Sequence, residues 1–183
     1  MKQLLFCAGI LFAATATLSA QQKPPASPPE TATATIGGHS ISIKYNSPRV
    51  KGREGKVYGS DGLIATAHGT QYPIWRGGAN AATTLETDAD LKIGDVSVPK
   101  GTYTLFYDIT NADQWDLIIS KKTGEWGLAY DKSADLGHVK MHMGKPASMV
   151  ENLTYTIKDL GGNKGRITLA WENKEASVPF SVQ

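Results

Sequence analysis

Two stretches carry the side chains best suited to chemistry. Ser47-Pro48-Arg49-Val50-Lys51-Gly52-Arg53 sets three cations at alternate positions, and Lys44 to Lys56 as a whole holds five basic residues against one acid, Glu54. Pro73-Ile74-Trp75-Arg76-Gly77-Gly78-Ala79-Asn80 places a tryptophan and an arginine beside a glycine pair. Guanidinium forks match carboxylate and phosphate oxygens. An indole offers a flat wall, and paired glycines let the backbone approach a partner closely. Arg49, Lys51, Arg53, Trp75, Arg76 and Asn80 are therefore the candidate ligand-binding residues. The expectation is that positions 49–53 and 75–80 meet at a common mouth, for a small anionic or carbohydrate-like ligand. The competing reading is purely structural: the three cations form a solvated loop paired with Glu86, Asp88, Asp90 and Asp95.

Other chemistry has little support. Gly52-Arg53-Glu54-Gly55-Lys56-Val57 lacks the spacing and the Ser/Thr of a phosphate-binding P-loop. Tyr58-Gly59-Ser60-Asp61-Gly62 lacks the glycine two before the serine that a nucleophile elbow needs. No dinucleotide fingerprint and no His-Glu-x-x-His occurs, so neither a catalytic residue nor a cofactor is assigned. A hydrolase acting on cell-envelope material is the alternative, with His68 or Asp61 in the 46–72 loop as base. A copper or zinc protein is the second alternative, since His138-Val139-Lys140-Met141-His142-Met143 reads as a strand with both histidines on one face. Lys140 between them brings positive charge to that face, and Val139, Met141 and Met143 then point to the core. The solvated-face reading is preferred, and no metal ligand is assigned; His39 and His68 are the remaining imidazoles. A single cysteine, Cys7, excludes a disulfide framework and a multi-cysteine zinc site. A net charge of +2 from 19 basic and 17 acidic residues excludes a general nucleic-acid coat, which needs a dense basic footprint.

The elements that must position these side chains follow from periodicity. Met1-Lys2-Gln3, the uncharged apolar run Leu4 to Leu18 and the small Ser19-Ala20 have the order of a secretory signal peptide. The expected mature protein is periplasmic or secreted, cleaved near Ala20, with no membrane association afterwards. Residues 21–30 read as a proline-rich linker, because Lys23 to Pro29 holds four prolines in seven residues. The remaining 31–183 read as one domain. Its apolar period is two: Ile41, Ile43 and Tyr45; Tyr103, Leu105, Tyr107 and Ile109; Leu153, Tyr155 and Ile157; Ile167, Leu169 and Trp171; Val178 and Phe180. The intervening residues, among them Thr104 and Phe106, are expected on the water-facing side. Turn formers at Gly37-Gly38, Gly94-Asp95, Asn111-Ala112-Asp113, Gly161-Gly162-Asn163 and Asn173-Lys174 separate the runs at hairpin spacing. The predicted fold is all-β: a single antiparallel β-sandwich or flattened barrel of about nine strands.

Taken together, Asn46 to Arg53, Trp75 to Thr83, Pro99 to Phe106, Glu125-Trp126-Gly127 and Leu169-Ala170-Trp171-Glu172 resemble the bacterial domain-of-unknown-function family DUF2911. The resemblance spans Thr31 to Val182. An acidic residue commonly follows the Gly-Ala-Asn in that family; here Ala81 stands there. The resemblance implies export from bacteria and a compact β domain, and it carries over no catalytic residue.

Overall fold

The computed structural model describes residues 25–67, 70–124, 126 and 129–183. The expected signal segment, 1–20, lies outside them. Two antiparallel sheets face each other and do not close into a barrel. The first holds β1 (Pro29–Ile36), β2 (His39–Asn46), β3 (Ile74–Trp75), β4 (Thr83–Thr87), β7 (Gly101–Asn111), β8 (Gln114–Ser120) and β9 (Asp135–Lys140). The second holds β5 (Leu91–Ile93), β6 (Val96–Val98), β10 (His142–Gly144), β11 (Val150–Gly161), β12 (Lys164–Glu172) and β13 (Lys174–Val182). The described residues thus form thirteen strands rather than about nine. The additional ones, β3, β5, β6 and β10, are two or three residues long, too short for alternation to register.

Each long strand delivers its apolar set to the space between the sheets. Ile41, Ile43, Leu85, Leu105, Leu117, Leu153, Ile167 and Leu169 are buried there. β1 is tied to β2 by Gly37 and Gly38 at φ +59° and +85°, the left-handed pair that a two-residue hairpin turn requires. β1 starts at Pro29, so the last two residues of the expected 21–30 linker belong to the sheet.

Two expectations are corrected by packing. Thr104 and Phe106 point away from the inter-sheet core, yet Thr104 is 0% and Phe106 4% exposed. Lys122 and Tyr130, both beyond β8, lie against this outer face. Tyr130 meets Phe106 edge-on at 5.2 Å between ring centres, and the Thr104 hydroxyl donates to the Lys122 carbonyl at 2.7 Å. A second, smaller core therefore lies outside the first sheet. The expected continuous strand 138–143 is also broken. The chain leaves β9 at Lys140, buries Met141, and enters β10 on the opposite sheet, where His142 pairs with Ser177. His138 and His142 consequently belong to different sheets. His138 Nε2 lies 2.8 Å from the Asp135 carboxylate, which also accepts from the Tyr130 hydroxyl at 2.6 Å. His39 pairs with Asp88 at 3.1 Å. Among the described residues no group of three His, Cys, Asp or Glu is arranged to hold a metal ion.

Candidate functional site

β3 and β4 lie along the same edge of β7. Trp75 pairs with Tyr107 and Thr83 with Leu105, only two strand positions apart. The seven residues between them, 76–82, must therefore project from the sheet as a loop. Gly77 makes that loop possible: its φ is +64°, and an added Cβ would lie 2.3 Å from Tyr155 Oη and 2.4 Å from Tyr107 Cε2. Its carbonyl accepts from the Tyr155 hydroxyl at 2.8 Å and from Thr83 Oγ1 at 3.3 Å. The next turn residues are anchored as well. Trp75 Nε1 donates to the Gly78 carbonyl at 3.2 Å, and Ala79 N donates to the Asn46 carbonyl at the end of β2 at 3.1 Å. Burial holds the Tyr155 phenol well above its ordinary pKa, and Tyr107 is raised for the same reason, so both stay neutral; Tyr155 donates, while Tyr107 Oη is buried without a partner among the described residues.

The 46–72 stretch is a packed loop. Val50, Val57 and Ile64 are buried as its own anchors. Ser47 Oγ donates to the Leu153 carbonyl at 2.6 Å, Leu153 N to the Pro48 carbonyl at 3.0 Å, and Val50 N to the Glu151 carbonyl at 2.9 Å. These bonds seat the basic segment on the start of β11. Glu172, 3% exposed at the end of β12, accepts from Gly55 N and pins the far side of the loop.

The two segments meet. Arg49, Lys51 and Arg53 from the loop, and Trp75 and Arg76 from the turn, line one cleft of about 260 Å³. Pro48, Leu63, Ile64 and Ala67 supply apolar wall, and Ala26 and Ser27 close one side. Trp75 is 4% and Trp171 1% exposed. They stack on each other at 6.0 Å with 21° between their planes, inside an aromatic cluster that includes Tyr58, Tyr107 and Trp115. Trp75 is thus a floor member fixed by its neighbours, not the exposed stacking wall expected. Burial and the nearby Glu172 carboxylate push the Tyr58 phenol well above its ordinary pKa, and its hydroxyl donates to the Trp171 carbonyl at 3.2 Å.

The cations are positioned very differently from one another. Arg49 reaches Ser47 Oγ at 2.5 Å and the Glu30 carboxylate at 3.4 Å, so its charge is partly balanced. Arg53 is oriented by backbone alone, donating Nε to the Val50 carbonyl at 2.8 Å and Nη2 to the Arg49 carbonyl at 2.6 Å. Neither bond neutralises it. Arg76 is half-buried, its Nε is buried without an acceptor among the described residues, and burial draws its pKa below the ordinary value. It remains a cation at physiological pH. Among the described residues, none of the four acids of the competing structural reading pairs with these cations, and three of them are engaged elsewhere. Glu86 pairs with Lys44 at 2.7 Å, Asp88 with His39, and Asp90 accepts from Lys100 N at 2.8 Å. Asp95 lies in the β5–β6 turn, where its backbone carbonyl, not its carboxylate, accepts from Lys92 Nζ at 2.6 Å.

Asn80 is the one candidate outside the cleft lining. At φ +56° it is exposed and turns its amide to the Ser27 carbonyl at 3.4 Å, which also accepts from Asn46 Nδ2 at 3.2 Å. It contacts the segment before β1 rather than the cleft. Of the two bases considered for hydrolysis, Asp61 is exposed and does not line the cleft, and His68 lies outside the described residues. Sequence reading missed Trp171, whose place in a strand alternation marked it only as core. Its indole Nε1 is buried without an acceptor among the described residues.

No curated protein and no solved structure matches the chain. The family model for DUF2911, proteins of unknown function, matches residues 27–180, from the segment beside the cleft to the last strand. The resemblance drawn from the motif order is thereby established, and the chain is a member of the DUF2911 family.

Proposed function

We propose that this is an exported bacterial protein whose β-sandwich serves as a small-ligand binding module, with the cleft between the 49–53 loop and the 75–79 turn as its site. The observation that carries the reading is the state of the lining cations. Arg53 and Arg76 face one cleft with no carboxylate partner among the described residues, although each is at least partly removed from water. A cleft lined by two guanidiniums without a counter-charge favours an anion, which supplies both the charge and the acceptors. The frame is rigid, because both segments are hydrogen-bonded to strands, so little ordering entropy opposes binding.

The test is a thermal-shift and calorimetric screen of the purified protein against small anions and sugars. A ligand that binds only the folded form raises the unfolding temperature by mass action. The expected result is a hit that Arg53→Ala and Arg76→Ala each weaken. A panel without any hit sensitive to these two substitutions overturns the reading. Export is checked separately by the intact mass of the protein recovered outside the cytoplasm, expected to begin at Gln21.

A further inference from the structure

The hydrogen-bonding sense of the cleft narrows its ligand. Among the described residues, the lining contains no aspartate, glutamate, asparagine or glutamine side chain. Its polar side-chain groups are three guanidiniums, one ammonium, the Trp75 and Trp171 indoles, the first already bonded to the Gly78 carbonyl, and the hydroxyls of Ser27 and Thr70. Guanidinium, ammonium and indole are donors without acceptor capacity. A sugar hydroxyl both donates and accepts, so carbohydrate recognition needs acceptors interleaved with donors. Donors outnumber acceptors among these side chains, only the Ser27 and Thr70 hydroxyls being able to do both, so the lining favours a group that mainly accepts.

Charge sets the number. Glu30 balances Arg49 at 3.4 Å, while Lys51 Nζ, Arg53 and Arg76 have no carboxylate partner among the described residues. Lys51 meets Glu151 only through its backbone N–H, at 2.9 Å. Up to three unbalanced cations around one small space exceed what a single negative charge offsets. The Arg53 and Arg76 guanidiniums on the lining each carry several N–H donors, so a group with several oxygens suits them better than one with two. A tetrahedral oxyanion is such a group, and guanidinium forks suit its geometry. Beside the cations, Pro48, Leu63, Ile64 and Ala67 form an apolar wall. The volume, about 260 Å³, falls just below the ~300–1,000 Å³ of most small-molecule sites, so the rest of the ligand is compact.

We infer that the cleft takes a small organic dianion, a phosphate monoester on a compact apolar body. The inference rests on the cleft being a binding site and adds the class of its occupant. The probes are phenyl phosphate, benzoate, inorganic phosphate and methyl glucoside, titrated calorimetrically into the full chain at fixed, moderate salt. Phenyl phosphate is expected to bind about tenfold or more tighter than each of the other three. Arg53→Ala and Arg76→Ala are expected to weaken it about tenfold each. Ligand-free unfolding curves report whether those variants fold, and Arg53→Lys and Arg76→Lys, which keep the charge, replace any that does not.

Each other outcome is decisive. Benzoate binding as well as phenyl phosphate overturns the dianion, and inorganic phosphate doing so overturns the apolar body. Methyl glucoside binding with comparable affinity overturns the argument from the excess of donors. In these three cases, loss of binding in the arginine variants would leave the cleft as a ligand site. If no probe shows binding that depends on Arg53 or Arg76, the cleft reading fails together with the class of ligand.

Discussion

Replacing Gly77 by alanine tests how the cleft is held, and the structure supplies both parts of the cost. The residue sits at φ +64°, where a Cβ costs about 1–2 kcal/mol in a non-glycine residue. That Cβ would also lie 2.3 Å from Tyr155 Oη and 2.4 Å from Tyr107 Cε2. Both rings are buried, at 3% and 0% exposure, so neither can swing into solvent. Tyr155 would in addition give up its 2.8 Å bond to the Gly77 carbonyl on moving. Overpacking of this kind costs about 1–3 kcal/mol, for a sum of about 2–5 kcal/mol. Gly38→Ala is the reference: its φ is +85°, but nothing lies within 4 Å of an added Cβ, so only the backbone part applies. Urea unfolding followed by tryptophan fluorescence reads the difference, with the denaturant slope expected to stay constant. Gly77→Ala should be less stable than Gly38→Ala by at least about 1 kcal/mol. Adding Tyr155→Phe removes the nearest clashing atom, so the double variant should lose less than the sum of the two singles. Equal stability of the two alanine variants would refute the claim that the tyrosine pair clamps the turn carrying Arg76.

Phe106→Ala should cost about 3 kcal/mol or more in the same assay, as for other buried aromatic truncations; a loss within about 0.5 kcal/mol would place the side chain in water after all. Alkaline titration probes Tyr107 and Tyr155, whose folded pKa values are raised by burial above the unfolded value of about 10. Because the unfolded chain ionises first, their contribution is complete below about pH 10 and is lost as pH rises toward the folded values, at roughly 1.4 kcal/mol per pH unit and group. Unfolding free energy that stays flat from pH 9 to 11 would contradict that burial.

Much of the frame is written in local pattern. The period-two runs that became β2, β7, β11, β12 and β13, and the glycine turns joining β1 to β2 and β11 to β12, depend on residue type at fixed spacing. Alternation and turn chemistry act within a few residues, so one chain suffices to read them. The functional candidates were legible for a related reason. Unbalanced cations beside a glycine pair are unusual in composition wherever they end up in space.

Other features depended on partners distant in the chain. Phe106 has the wrong phase for the inter-sheet core, and it is covered from the other side by Tyr130, which arrives from beyond β8. The 138–143 run continues its alternation through Met141, yet the backbone changes sheets there because β13 offers Ser177 and Ala176 as hydrogen-bonding partners. Trp75 loses its exposed face to Trp171, almost a hundred positions along the chain, and Asn80 finds a carbonyl at Ser27 rather than the cleft. By itself, then, the sequence determined strand, turn and charge, since these arise from neighbours along the chain. Which face is covered, and which cation is left without a counter-charge, was decided only by the tertiary structure, because burial and ion pairing are set by whatever arrives from elsewhere in the molecule.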